Sequence, residues 1–213
     1  MSIYYQDELV TLHHGDCLEV TDWLAADVLV TDPPHGSEGG SGYGRSALGK
    51  RTIANDKTTE VRDAALAAWG ELRPALVFGH PSLPEPPGAW AYRLVWDKAM
   101  PGLGAGPFRW QHEAIFIRGK WSGKDVSVLR VSRGPQSESR ERHPHEKHFA
   151  LMDRLLAGAP GGLIADPFAG SGSTLVVAKA IGRKCVGVEM DERYCEMVAN
   201  RLAQNAFDFG GAA

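Results

Sequence analysis

Ile164-Ala165-Asp166-Pro167-Phe168-Ala169-Gly170-Ser171-Gly172-Ser173-Thr174 is the stretch from which the rest of the chain can be read. The apolar run in front of it, residues 162–165, reads as a short buried strand. Residues 174–181 behind it are apolar at helical spacing and closed by Gly182, which reads as a helix. A second strand over 185–188 ends on Glu189. Strand, Gly/Ser turn, helix and a strand ending in an acid are the layout of a mononucleotide-binding βαβ unit. Gly170 and Gly172 are expected to let a ligand approach the backbone. The helix N-terminus behind them offers N–H groups to an anion. Glu189, at a strand's carboxyl end, is placed to accept both hydrogens of a ribose diol. No Gly-Lys-Ser/Thr follows the turn, which excludes a P-loop, and the turn is not G-x-G-x-x-G, which disfavours a dinucleotide.

The surroundings fit one ordinary domain: 213 residues, 43% hydrophobic, 23% charged. The net charge of −3 makes the whole surface no general attractor for nucleic acid, so any such contact must come from a local patch. Cys17, Cys185 and Cys195 form no C-x-x-C pair, which points to a reducing compartment and away from zinc. The first residues carry neither a basic region nor a long apolar run, so no signal peptide or membrane span is expected and the cytoplasm is the default location.

Further strands are expected over 9–13, 27–31, 75–79, 92–96 and 114–117. Helices are expected over 59–72 (Val61, Ala64, Ala65, Ala68, Trp69 and Leu72 inward), 149–157 (Phe149, Met152, Leu155 and Leu156 inward) and 192–204 (Tyr194, Met197, Val198 and Leu202 inward). Asp16, after the first of these strands, is either a helix-type cap or a ligand contact. The second strand runs into Asp32-Pro33-Pro34-His35. The prolines stop it and hold the backbone extended, leaving free carbonyls beside the Asp32 carboxylate, an acceptor cluster suited to an amino group. Residues 36–50 form a Gly/Ser-rich loop, either a lid or a plain surface loop. Residues 118–148 carry eight basic side chains against four acidic ones, a patch suited to a phosphate backbone. The histidines of 143–148 lack partner ligands at metal spacing, and no metal is expected.

With the proline motif first and the glycine motif last, the chain resembles the β group of DNA methyltransferases that modify exocyclic amines, adenine N6 or cytosine N4. Supporting segments are His14-Gly15-Asp16-Cys17-Leu18, Trp96-x-Lys98, His112-Glu113-Ala114-Ile115 and His143-Pro144-x-Glu146-Lys147. The match runs over roughly residues 4–204, and its motifs are specific as a set. The resemblance implies a Rossmann-like α/β fold with circularly permuted motifs: an open, mostly parallel twisted sheet with helices on both faces. It implies S-adenosylmethionine as cofactor. Asp16 would hold its adenine amine, Glu189 its ribose, and the loop Phe168, Ala169, Gly170, Ser171, Gly172 with Lys147 would surround its methionine part. Cys17, Asp32, Asp166, Thr174 and Met190 complete the cofactor-binding set that the resemblance implies. It implies double-stranded DNA as partner, with the target base flipped out, its amine held by Asp32 and the Pro33 carbonyl within the Asp32-Pro33-Pro34-His35 motif. His35 stands where the family usually carries a stacking aromatic, and Lys147-His148 where it often has Lys-Pro. One methyltransferase domain over 1–213 is expected, with residues 36–50 and 118–142 as a reduced recognition region. That size implies limited sequence selectivity unless a homodimer or partner adds contacts. Asp at the first position of the proline motif favours adenine N6. Cytosine N4, RNA adenine, a catalytically weakened cofactor- or DNA-binding regulator and a generic nucleotide-binding α/β protein are the alternatives.

Overall fold

The computed structural model describes residues 2–36, 58–100, 107–132 and 147–208. The elements in chain order are β1 (Ser2–Gln6), β2 (Val10–His14), β3 (Val28–Thr31), α1 (Glu60–Trp69), β4 (Ala75–Gly79), β5 (Tyr92–Asp97), β6 (His112–Arg118), β7 (Val128–Arg130), α2 (Phe149–Ala157), β8 (Ile164–Asp166), α3 (Ser173–Ala180), β9 (Cys185–Glu189) and α4 (Glu192–Asp208). All nine strands join one sheet in the order β1-β2-β9-β8-β3-β4-β6-β5-β7. From β2 through β9, β8 and β3 to β4 the pairing is parallel, and β7 is parallel to β5. β1 and β6 are antiparallel to their neighbours. The open, mostly parallel sheet expected from the sequence is therefore present.

Every residue of β3 and β4 is buried, as strands covered on both faces must be. Side chains alternate between two cores. Val28, Val30, Leu76 and Phe78 pack towards α2, α3 and α4. Leu29, Ala75 and Val77 pack towards Trp23, Leu66 and Trp69, and the two tryptophans stack at 6.0 Å. Each such large apolar side chain stabilises the fold by about 1.5–3 kcal/mol. The chain steps from β3 outward to β4 on one side and from β8 outward to β9 on the other. The direction reverses between β3 and β8, and a crevice opens there at the strands' carboxyl ends.

Some details differ from the sequence reading. α1 ends at Trp69 because Gly70 takes φ 92, and Leu72 beyond it is 97% exposed. Its inward stripe is Arg62, Ala65, Leu66 and Trp69, while Ala64 and Ala68 face out. Alanines define a stripe weakly, and the buried guanidinium of Arg62 finds the Pro84 carbonyl at 2.9 Å. Phe149 opens α2 and is 47% exposed; Leu151 takes the inward place. β1 and β7 have no counterpart in the sequence reading.

Candidate active site

Four adjacent parallel strands, β2, β9, β8 and β3, deliver Asp16, Glu189, Asp166 and Asp32 to one edge of the sheet. A cavity there is walled by Asp32, Lys147, Asp166, Phe168, Ala169, Gly170, Ser171 and Thr174 from the anticipated set, together with Phe78 and Ser173. Pro33, Pro34, His35, Asp16, Cys17, Gly172, Glu189 and Met190 lie off its wall.

Asp32 follows β3 directly. Its Oδ2 accepts from Lys147 Nζ at 2.6 Å. Its Oδ1 receives no hydrogen bond among the described residues and lies 3.4 Å from His35 Nε2. Burial would raise this carboxyl, but the positive charge of Lys147 and then contact with His35 hold it well below the usual carboxylate range. Lys147 is buried and also donates to Glu113 Oε2 at 2.8 Å, with its ammonium 4.6 Å over the Phe78 ring. Glu113 Oε1 is in turn 2.7 Å from Lys98 Nζ. Against the effect of burial, Asp32 and Glu113 keep Lys147 above the ordinary lysine value. Burial likewise opposes ionisation of Glu113, yet Lys147 above all holds it down at about 2.

Asp166 is buried at the end of β8, and its Oδ1 accepts from Thr31 Oγ1 at 2.7 Å and Phe168 N at 3.2 Å. Burial raises it to about 6 despite these donors. Glu189 Oε2 accepts from Gly170 N at 2.7 Å and Oε1 from Asp191 N at 2.8 Å, so it fixes the glycine turn, and each oxygen retains a second lone pair. Burial raises this carboxyl too. Asp16 accepts from Leu18 N at 2.9 Å and its carbonyl accepts from Glu19 and Val20, the capping arrangement. Cys17 is buried in the core with Trp23 and Trp69, and burial pushes its thiol up to about 12. Met190 sits half-exposed past β9, its carbonyl 3.0 Å from His14 Nε2.

The two glycines of the turn stand in different surroundings. Gly172 has φ 75, and a Cβ there would lie 2.7 Å from the Val198 methyls, so glycine serves the packing of α3 against α4. Gly170 has φ 51, and a Cβ there would meet nothing nearer than the Phe168 carbonyl at 3.8 Å. Of the two, only Gly170 lines the cavity. His148, where the family often has proline, caps α2 by accepting from Ala150 N at 3.2 Å.

The basic region is also divided. Arg118 ends β6 opposite Ala75, at the start of β4 and so at the edge remote from Asp32. It is buried, donates to the carbonyls of Gly70 at 3.0 Å and Arg73 at 3.3 Å, and lies 4.8 Å from the Trp90 ring. Lys120 and Lys124 follow at that remote edge, where Ser122 bonds Gly158 past the end of α2. Arg130, ending β7 parallel to β5, lies beside Asp97 at 3.6 Å, on the same edge of the sheet as the cavity but four strands from β3. Residues 37–50 of the glycine loop and 133–142 of the basic segment lie outside the described residues, as do His143 and His145. Among the described residues no group of three or more metal-binding side chains occurs, and no helix is long and apolar enough to cross a membrane.

Sequence reading missed Thr31, Phe78 and Ser173. It quoted Lys98 and Glu113 only as family-like segments.

The sheet order, the reversal between β3 and β8 and the carboxylates at that edge define the α/β fold of the S-adenosylmethionine-dependent DNA methyltransferases. Solved structures agree on the fold: M1.HpyAVI in complex with SAM (TM-score 0.64, 19% identity, 91% of this chain and 99% of that one) and the cytosine-N4-specific PvuII DNA methyltransferase (TM-score 0.64, 15% identity, 93% and 88%). Residues 82–200 match the N6/N4 family described as DNA methylase. YubD of Escherichia coli (strain K12), which carries a methylase name, is 31% identical over 220 residues, 93% of each chain. The DNA adenine methyltransferase YhdJ of the same organism is 44% identical over 64 residues, 29% of this chain and 22% of YhdJ. The chain belongs to the N6/N4 DNA methylase family.

Proposed function

We propose that the protein transfers a methyl group from S-adenosylmethionine to the N6 amine of adenine in double-stranded DNA, on a base turned out of the duplex. The observation that carries this reading is Asp32: a half-buried, ionised carboxylate with one oxygen held by Lys147 and the other, Oδ1, shielded from solvent beside His35 and without a hydrogen bond among the described residues. An unsatisfied buried acceptor is costly unless a ligand completes it.

The cavity residues fit the cofactor. Gly170 leaves room, Glu189 keeps lone pairs at the end of β9, and Asp166, Phe168, Ala169, Ser171 and Thr174 wall the space between Glu189's turn and Asp32. When bound, S-adenosylmethionine supplies a methyl group made electrophilic by its sulfonium. The chain's own part is orientation. An exocyclic amine is a weak nucleophile because its lone pair is delocalised into the ring. Acceptance of its hydrogens by Asp32 Oδ1 and the Pro33 carbonyl favours a pyramidal nitrogen with its lone pair free towards the methyl. Held well below the usual carboxylate range, Asp32 acts as an acceptor and electrostatic partner rather than a strong base. The proton released by the alkylated amine passes to water. His35, beside Asp32, stacks on the turned-out base. The base must leave its stack because the amine cannot otherwise reach the cavity.

Adenine is preferred on the Asp at the first motif position and on the YhdJ likeness. One domain with a reduced recognition region, residues 36–50 and 118–142 apart from the buried Arg118, completes the reading. Asp32→Asn tests it. Cofactor affinity by calorimetry should stay within about threefold of wild type while kcat falls by at least about a hundredfold, as for loss of one transition-state hydrogen-bonding group. Parallel loss of both would remove this division of labour.

A further inference from the structure

Asp32 heads a file of alternating charges, Asp32, Lys147, Glu113, Lys98, linked at 2.6, 2.8 and 2.7 Å, whose last two members the methyl-transfer reading does not use. Lys147, Glu113 and Lys98 are all buried. The members come from separate parts of the chain. Asp32 follows β3, Lys98 follows β5, Glu113 lies on β6, and Lys147 precedes α2. Trp96 pairs with Glu113 in the β5–β6 ladder, so the far half of the sheet sets where Glu113 stands.

An ammonium has three N–H groups. On Lys147 one goes to Asp32 Oδ2, one to Glu113 Oε2, and the cation packs over Phe78 at 4.6 Å. A lysine stem with four rotatable carbons is otherwise a poor fixture. Glu113 removes that freedom, and Lys98, itself 5.3 Å over the Trp96 ring, fixes Glu113 from behind. Charges alternate along the file, so each buried ion is compensated and the set is stable only as a unit.

We propose that Glu113, backed by Lys98, is the positioning residue for Asp32: it pins the Lys147 ammonium against Asp32 Oδ2 and so fixes the place of Oδ1, the oxygen beside His35 that is left to accept from the substrate amine. This inference rests on Asp32 being the amine acceptor. It places Lys147 chiefly in the service of Asp32 rather than of the cofactor. Through Trp96 and Glu113 it also ties the catalytic carboxylate to β5 and β6.

The test is a double-mutant cycle in the full chain with Glu113→Gln and Lys147→Met, read as kcat, DNA KM and cofactor Kd. Displacement of a reacting group by about 1 Å costs on the order of a hundredfold. Glu113→Gln is therefore expected to lower kcat by roughly ten- to a hundredfold, with cofactor Kd within about threefold of wild type. In the Lys147→Met background the same substitution should change kcat by less than about threefold, because the path to Asp32 is already cut. Glu113→Asp should restore part of the rate. Full additivity of the two substitutions, or a rise in cofactor Kd that matches the fall in kcat, overturns the proposal. If Glu113→Gln does not fold, Lys98→Met leaves the Glu113–Lys147 contact in place. It should lower kcat several-fold without raising cofactor Kd, and an unchanged kcat overturns the proposal. Absence of methyl transfer by the wild-type chain would instead count against the proposed reaction.

Discussion

Replacing Gly172 by alanine separates the two glycines of the turn, which look equivalent in sequence. At φ 75 a side chain pays for the left-handed backbone, about 1–2 kcal/mol. The new Cβ would also sit 2.7 Å from both methyls of Val198 on α4, and such overpacking costs about 1–3 kcal/mol. The expected loss is therefore about 2–5 kcal/mol, or a fall in Tm of roughly 5–15 °C for a chain of this size. Gly170→Ala carries only the backbone cost, about 1–2 kcal/mol, because its Cβ meets nothing nearer than 3.8 Å. Gly170 lines the cavity, so Gly170→Ala should lose cofactor affinity while remaining the more stable variant. Circular-dichroism melts and calorimetry on both variants decide the matter. A Gly172→Ala protein that melts within about 2 °C of wild type, or below which Gly170→Ala melts, would refute the reasoning.

Arg118→Ala should lower stability by about 1–3 kcal/mol, since it strands the carbonyls of Gly70 and Arg73, yet leave DNA affinity and its salt dependence unchanged. Arg130→Ala should leave stability within about 0.5 kcal/mol and reduce the salt slope of DNA binding by about one. In the cofactor-free protein, Asp166, raised from 3.8 to about 6 by burial, holds its proton in the folded state and loses it in the unfolded chain between those values. The folded state then binds more protons, so stability should fall as pH rises through that window, by about 3 kcal/mol. Glu189, also raised by burial, contributes with the same sign. Urea titrations across the window should show the fall, reduced in Asp166→Asn. Asp32 acts oppositely: held low, it stabilises above its unfolded value and loses that effect only as pH falls through its folded one.

The parts of the fold set by local pattern were legible. Apolar runs such as 75–79 and the Gly170–Gly172 turn need only neighbours in sequence to be read, and the elements follow them. The order of the two motifs gave the carboxylates of β3 and β8 a shared edge. β1 escaped because an exposed, antiparallel edge strand carries no continuous apolar run, and β7 because three residues give no period. The charge file escaped for a different reason: Lys147 meets Glu113 across 34 residues of chain, and nothing local marks a buried lysine from a solvated one. Arg118 shows the same limit in reverse, since it counted towards a surface patch while its guanidinium lies against Trp90. The role of Gly172 depended on Val198, a contact between helices that sequence spacing does not reveal.

Methyl transfer from labelled S-adenosylmethionine to unmethylated duplex DNA, followed by digestion to nucleosides and their separation, tests the central claim most directly. Label in N6-methyladenine, absent with Asp32→Asn, is the expected result. Label in N4-methylcytosine would keep the role of Asp32 and overturn the choice of base. DNA without label, from protein that still binds the cofactor, would contradict the proposed reaction.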